Sequence, residues 1–144
     1  MSYGYITKLS ENVDRQHVRY NNRYGTAIAA DIYTPKNLEE DKLLPAIVIR
    51  APYGSTKEQA AAIYANTFAQ LGFVTLAFDQ VYIGESAGES RHVASPDLYA
   101  ESFSAAVDYL GTKLIVNKLA LLVSAGALGL LLVLRLLIRE LNLL

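Results

Sequence analysis

Cysteine is absent from the 144 residues, which excludes disulfides, thiolate metal sites and a cysteine nucleophile together. Histidine is almost absent: His17 and His92 are the only two. They are too few and too isolated for an imidazole metal site, and no metal or other cofactor is expected. An excess of either charge is missing as well. Thirteen Lys and Arg against fourteen Asp and Glu leave a formal net charge of −1, so no basic field draws nucleic acid. The ten tyrosines do not interleave with basic residues as a stacking platform would. The opening, Met1 to Lys8, has no apolar signal core, and the expected location is cytoplasmic.

What is present divides in two. Residues 1–118 have an ordinary mixed composition, whereas 13 of the 26 residues from 119 to 144 are leucine and no charge appears from Leu119 to Leu134. A membrane-spanning helix needs about 18 to 20 apolar residues. This run is shorter and is interrupted by Ser124, Gly126 and Gly129, so buried structure is favoured over a membrane segment. The expected organisation is one domain, with 1–118 as its main part and 119–144 as a leucine-rich strand and helix tail of the same domain. On a helix, Leu130, Leu131, Leu134, Leu137, Ile138 and Leu141 would form a broad apolar face.

Along the chain, Asp14–Asn22 and Ala27–Tyr33 are rich in β-branched and aromatic residues, with turn residues Asn21 to Gly25 between them; this predicts a hairpin. Ala46–Ile49, Val74–Phe78 and Leu119–Val123 are short continuous apolar runs, as in strands buried on both faces. Helices are expected over 57–71 and 97–111. The first has a capping-box spacing at Ser55 and Glu58, an apolar face at Ala60, Ile63, Thr67 and Leu71, and a stop at Gly72. The second is capped by Ser95, starts at Pro96, and shows a face of Phe103, Ala106, Val107 and Leu110. Hairpin followed by β-α-β-α-β predicts an α/β fold: a mostly parallel sheet with helices on both faces and right-handed crossovers.

Two segments carry the G-x-S-x-G type of spacing that holds a serine nucleophile on a strained strand-to-helix turn. Gly84-Glu-Ser-Ala-Gly88 has the letters but the wrong setting, since the preceding strand ends near Asp79 and the next helix starts near Pro96. Ser86 therefore reads as part of a glycine-rich loop. Leu122-Val-Ser-Ala-Gly126 has the right setting, but Leu122 stands where the elbow wants a small residue; Ser124 is the nucleophile candidate. Arg50-Ala-Pro-Tyr-Gly54 follows a central strand, where Tyr53 and Gly54 are the natural N–H donors to an oxyanion; a plain turn before a capped helix is the alternative. Asp79, at a strand end, reads as a brace for the following loop, His92 as an exposed loop residue, and His17 as a surface residue of the hairpin.

The stretches Asn21 to Pro35, Leu44 to Ile49, Tyr53 to Gln59, Gly72 to Asp79, Gly84 to Arg91, Ala94 to Asp97 and Phe103 to Leu110, in this order and spacing, resemble bacterial α/β-hydrolases of the dienelactone-hydrolase-like and prolyl-oligopeptidase-like group. The resemblance covers about three-quarters of the chain. It implies acyl hydrolysis of a small-molecule ester or a peptide by a nucleophile–histidine–acid triad, an oxyanion loop near Tyr53, and Gly84–Gly88 as a loop rather than the elbow. Beyond Val116 the match ends, and the family's spacing would put a nucleophile near Ala127 rather than Ser124.

Two functions follow as expectations. One is a hydrolase-related chain without a complete triad of its own, because only His17 and His92 are available as base and both precede Ser124. The other is a non-catalytic fragment or pseudo-enzyme that forms a homo-oligomer through its leucine-rich end.

Overall fold

The computed structural model describes residues 4–39 and 42–113, together with the backbone of strand 116–121. Five strands form one sheet: β1 (Val13–Asn21), β2 (Ala27–Pro35), β3 (Leu44–Arg50), β4 (Val74–Phe78) and β5 (Val116–Leu121). Their spatial order is β1-β2-β4-β3-β5. β3 pairs in parallel with both β4 and β5, while β1 with β2, and β2 with β4, are antiparallel. The sheet is thus mixed. The hairpin extends a parallel centre, and β5 straddles the composition change at 118/119.

Helices α1 (Ala60–Gln70) and α2 (Pro96–Gly111) occupy opposite faces. This follows from the strand order. The crossover from β3 to β4 steps one way along the sheet and that from β4 to β5 steps back past β3, so two crossovers of the same hand must lie on different faces. The strand side chains alternate accordingly. Ile28, Ala30, Ile32, Ala46, Val48, Val74, Leu76 and Phe78 pack with Tyr99, Phe103, Ala106 and Leu110 of α2. Tyr33, Ile47, Ile49 and Ala77 pack with Ala61, Ala62, Ala65 and Ala69 of α1.

The α2 face is the one its sequence spacing predicts, with Val107 at its margin. Ser95 stands at the N-cap position and Pro96 in the first turn, although the Ser95 side chain makes no capping bond. For α1 the structure reverses the expectation. Ile63 is 43% and Leu71 68% exposed, and the buried stripe is alanine. Alanines let the helix axis approach the sheet closely enough for Thr75 Oγ1 to donate to the Ala65 carbonyl at 2.9 Å; Ile63 and Leu71 would hold it away. The capping box is not formed by Ser55 and Glu58 either. Gln59 is the N-cap residue, its side chain accepts from Thr56 N–H at 3.2 Å, and Glu58 is buried among other charges. α1 is tied to the chain start through Asn66, which accepts from Ser10 N–H at 3.1 Å and donates to Lys8 O at 3.1 Å.

The third central strand begins at Val116 rather than Leu119 and is followed through Leu121; the expected strand end at Val123 and the rest of the leucine-rich tail, 122–144, lie outside the described residues. Among the described residues no helix is long and apolar enough to cross a membrane.

Candidate active site

Adjacent parallel strands whose connections leave to opposite faces open a crevice beyond their carboxyl ends. β3, which feeds α1, and β4, which feeds α2, are such a pair. The loops that meet there are 51–59 and 79–95.

The first loop begins under an aromatic cover. Arg50 is buried (1% exposed), with its guanidinium carbon 5.0 Å from the Tyr99 ring centre. Tyr53 is more than half exposed and lies 6.5 Å, ring to ring, from Tyr99. Its hydroxyl donates to His92 O at 3.4 Å, and Tyr99 Oη donates to Val93 O at 2.9 Å. Gly54 has φ +80°, a left-handed conformation that a side chain would strain, and the turn closes with Ser55 N–H on Pro52 O at 3.0 Å. Tyr53 and Gly54 therefore stand at the carboxyl end of β3. Because β5 runs parallel beside β3, its last residue, Leu121, lies at the same end of the sheet; Ser124 lies outside the described residues.

Beneath this loop is a buried charged group. The Lys57 side chain is fully buried. Its Nζ donates to Glu58 Oε1, to Glu85 Oε2 at 2.6 Å and to Asp79 Oδ2 at 3.4 Å. Asp79 also accepts Lys57 N–H on Oδ1 at 2.7 Å and Glu85 N–H on Oδ2 at 2.9 Å. It is the brace the sequence suggests, and it binds both loops at once. Burial alone would lower the Lys57 pKa. The hydrogen bonds to Glu58 and Glu85 and the charge of Asp79 outweigh it, and the ammonium is held above its ordinary value. Asp79 is raised by burial, against the pull of its hydrogen bonds and Lys57. Glu85, nearer solvent, is lowered chiefly by its bond from Lys57. The ligand oxygens of Glu58, Asp79 and Glu85 lie within 4.8 Å of one another, a spacing fit for a cation, and the Lys57 ammonium touches all three.

The Gly84–Gly88 loop closes over that group. Ser86 is 2% exposed; its Oγ donates to Asp79 O at 2.7 Å and accepts from Ala29 N–H at 2.8 Å. Both are structural bonds, so Ser86 fastens the loop as its setting suggests. Gly84, at φ +58°, has no room for a Cβ beside the Asp79 carboxylate. Arg91 staples the loop from outside, donating to Ser86 O and Gly84 O at 2.6 Å each and to Gly88 O at 3.4 Å.

The two histidines differ. His17 is a surface residue of β1 with its Nδ1 2.9 Å from Oδ1 of the buried Asp31 and its Nε2 3.7 Å from Glu85 Oε2; Tyr5 Oη donates to Asp31 Oδ2 at 2.8 Å. His92 is exposed in the loop after β4 with φ +61°, and among the described residues its imidazole makes no hydrogen bond. Sequence reasoning missed Lys57, Glu58 and Asp31. For Asp31 a signal existed: the hairpin register sets it directly opposite His17.

Comparison with known proteins agrees with this architecture. A family profile described as X-Pro dipeptidyl-peptidase (S15 family) matches residues 24–115. The chain is 54% identical over 110 residues to the uncharacterized protein PA2218 of Pseudomonas aeruginosa, covering 76% of this chain and 29% of that protein. The crystal structure of PA2218 superposes with a TM-score of 0.78 over 81% of this chain and 37% of that one, at 50% identity. The uncharacterized protein YcjY of Escherichia coli K12 is 41% identical over 103 residues, covering 72% of this chain and 32% of its own. Est1E of Butyrivibrio proteoclasticus, solved with ferulic acid bound, shares the fold at 20% identity, with a TM-score of 0.73 over 87% of this chain and 48% of that one. The chain spans less than a third of the length of the curated relatives it matches.

Proposed function

The chain belongs to the X-Pro dipeptidyl-peptidase (S15) family, and from that premise we propose that it carries the oxyanion-loop half of an acyl hydrolase site without a complete triad of its own. The substrate class is an ester or a peptide. In such a site a serine hydroxyl attacks the carbonyl carbon, a base takes its proton, and fixed N–H groups stabilise the oxyanion that forms. Tyr53 and Gly54 are the donors in this reading, and Ser124, three residues beyond the last residue of β5 in the sequence, is the nucleophile.

The observation that supports an incomplete triad is the separation of the two things a base needs. A triad histidine must reach the nucleophile and must be held by an acid. His17 has the acid, Asp31, but it lies on β1, at the opposite end of the strand order from β5. Four interstrand steps at about 4.8 Å each separate β1 from β5 by roughly 19 Å across the sheet. His92 leaves the correct edge beside Tyr53 but has no acid on its imidazole among the described residues. A lone serine is a weak nucleophile at neutral pH, and a surviving oxyanion hole leaves a residual acceleration of roughly 10³ to 10⁴ over water.

The test is hydrolysis of a chromogenic short-chain ester and of an X-Pro anilide by the 144-residue chain. The expected result is no turnover beyond that residual level and no change in Ser124→Ala. Turnover abolished by Ser124→Ala would overturn the incomplete-triad reading. A second reading, self-association through residues 119–144, is favoured by the leucine content of that segment and by β5, whose outer edge pairs with nothing among the described residues; an open edge invites a partner strand. Light scattering separates the two: a clean monomer rejects the second.

A further inference from the structure

Three carboxylates of Glu58, Asp79 and Glu85 converge with their oxygens within 4.8 Å. Like charges so placed oppose each other's ionisation unless a cation joins them. An ammonium has three donors and no acceptor, and Lys57 Nζ bonds one oxygen of each: Glu58 Oε1, Asp79 Oδ2 and Glu85 Oε2. We propose that Lys57 is a built-in counter-ion, standing where a divalent cation would otherwise be needed, and that it is a positioning residue for the loop carrying Tyr53 and Gly54. The second half rests on the oxyanion reading given above; the first does not.

The coupling to the loop is short. Lys57 is tied at both ends, by its ammonium and by its own N–H on Asp79 Oδ1, and only Ser55 and Thr56 separate it from Gly54. Ser55 N–H is itself bonded to Pro52 O. Moving Lys57 relative to the end of β4 means breaking its bonds to Asp79, which ties down the chain three residues beyond Gly54. On the other side Asp79 holds Glu85 N–H, and the Gly84–Gly88 loop is anchored by Ser86 and Arg91. The charged group is a joint between the two loops at the crevice, with Glu85 as its partly exposed rim.

If the ammonium acts by its charge, a metal ion can replace it; if Lys57 only fills space, no ion can. In Lys57→Ala the three carboxylates offer oxygens of the kind Ca²⁺ takes in sets of about six to eight, with water completing the shell. The expected result for the full chain is a fall in thermal midpoint that millimolar Ca²⁺ or Mn²⁺ reverses by several degrees, while the parent chain is indifferent to either ion. Mn²⁺ should also broaden the backbone amide signals of Gly54 and Glu85 in the variant alone. A folded Lys57→Ala protein whose midpoint ignores both ions overturns the proposal. Should Lys57→Ala fail to fold with or without the ions, Glu85→Gln decides the matter. Hydrogen exchange at Lys57 and Glu85 N–H is expected to quicken about tenfold while Val48 and Leu76 stay protected, as in a local opening; unchanged exchange at both amides overturns the proposal. Neither measurement uses ester turnover, so a failed hydrolase reading and a failed clamp give different results.

Discussion

The two helices bury comparable stripes against one sheet by opposite means. Under α2 the contact is made by large side chains: Tyr99, Phe103 and Leu110 are each fully buried, and Phe103 meets Phe78 edge to face at 5.2 Å between ring centres. Under α1 it is made by four alanines, with Ile63, Tyr64 and Leu71 facing outward. One layer gains from the area it removes from water, the other from how closely two backbones approach. The two layers also differ in what adjoins them: the loop of Lys57, bonded to Asp79 at the end of β4, immediately precedes the alanine-faced helix.

This contrast can be broken from either side. The largest effect is expected from Phe103→Ala, a loss of about 3–5 kcal/mol from removed contacts and the cavity left behind, read from denaturant midpoints. The opposite change in the other layer, Ala65→Leu, should cost about 1–3 kcal/mol by overpacking. It should also disturb the amides near Lys57 in NMR spectra, which Phe103→Ala leaves in place; equal disturbance by both would remove the distinction between the layers. A smaller, pH-dependent effect belongs to Glu85. Its pKa is lowered by the bond from Lys57. Its contribution to stability is therefore present above the unfolded value of about 4.3 and is lost as pH falls through the lower folded value. Asp79, raised by burial, acts in the opposite sense, so the quantity to measure is the difference between parent and Glu85→Gln midpoints, followed from neutral pH to below the unfolded Glu value of about 4.3; it should shrink toward the acid end. The smallest effect is expected of Ile63→Ser, within about 0.5 kcal/mol, since that side chain is 43% exposed; a core-sized loss would mean that α1 is rotated from the orientation described.

The sheet was legible because β3 and β4 are continuous apolar runs that no exposed segment would carry, and the spacing of Phe103, Ala106 and Leu110 marks the α2 face for the same reason. The α1 face was not, because hydropathy weights Ile63 and Leu71 above alanine, while the sheet beneath selects for smallness. At the crevice, Asp79 and the role of Ser86 could be read from position: one ends a strand, the other has no strand or helix to hold it in an elbow. Lys57 and Glu58 could not. Adjacent opposite charges in a loop are the usual composition of a solvated surface, and what buries them is the topology, which folds the 79–95 loop over a segment more than twenty residues earlier. The placement of Ser124, Tyr53 and Gly54 in an active site stands as the proposal made above.

The strand order also has a consequence for how the chain comes together during synthesis. β2 has no lateral partner but β1 until β4 appears, and β3 has none at all, because β4 is the strand that lies between them. A growing chain ending before Val74 thus holds a two-stranded hairpin, which is marginal in water, and one unpaired apolar strand. β4 joins both, and its first following residue, Asp79, closes the loop over Lys57. A five-residue strand is therefore the keystone in time as well as in space: the segments translated before it remain separate pieces, and its arrival lets them fold as one.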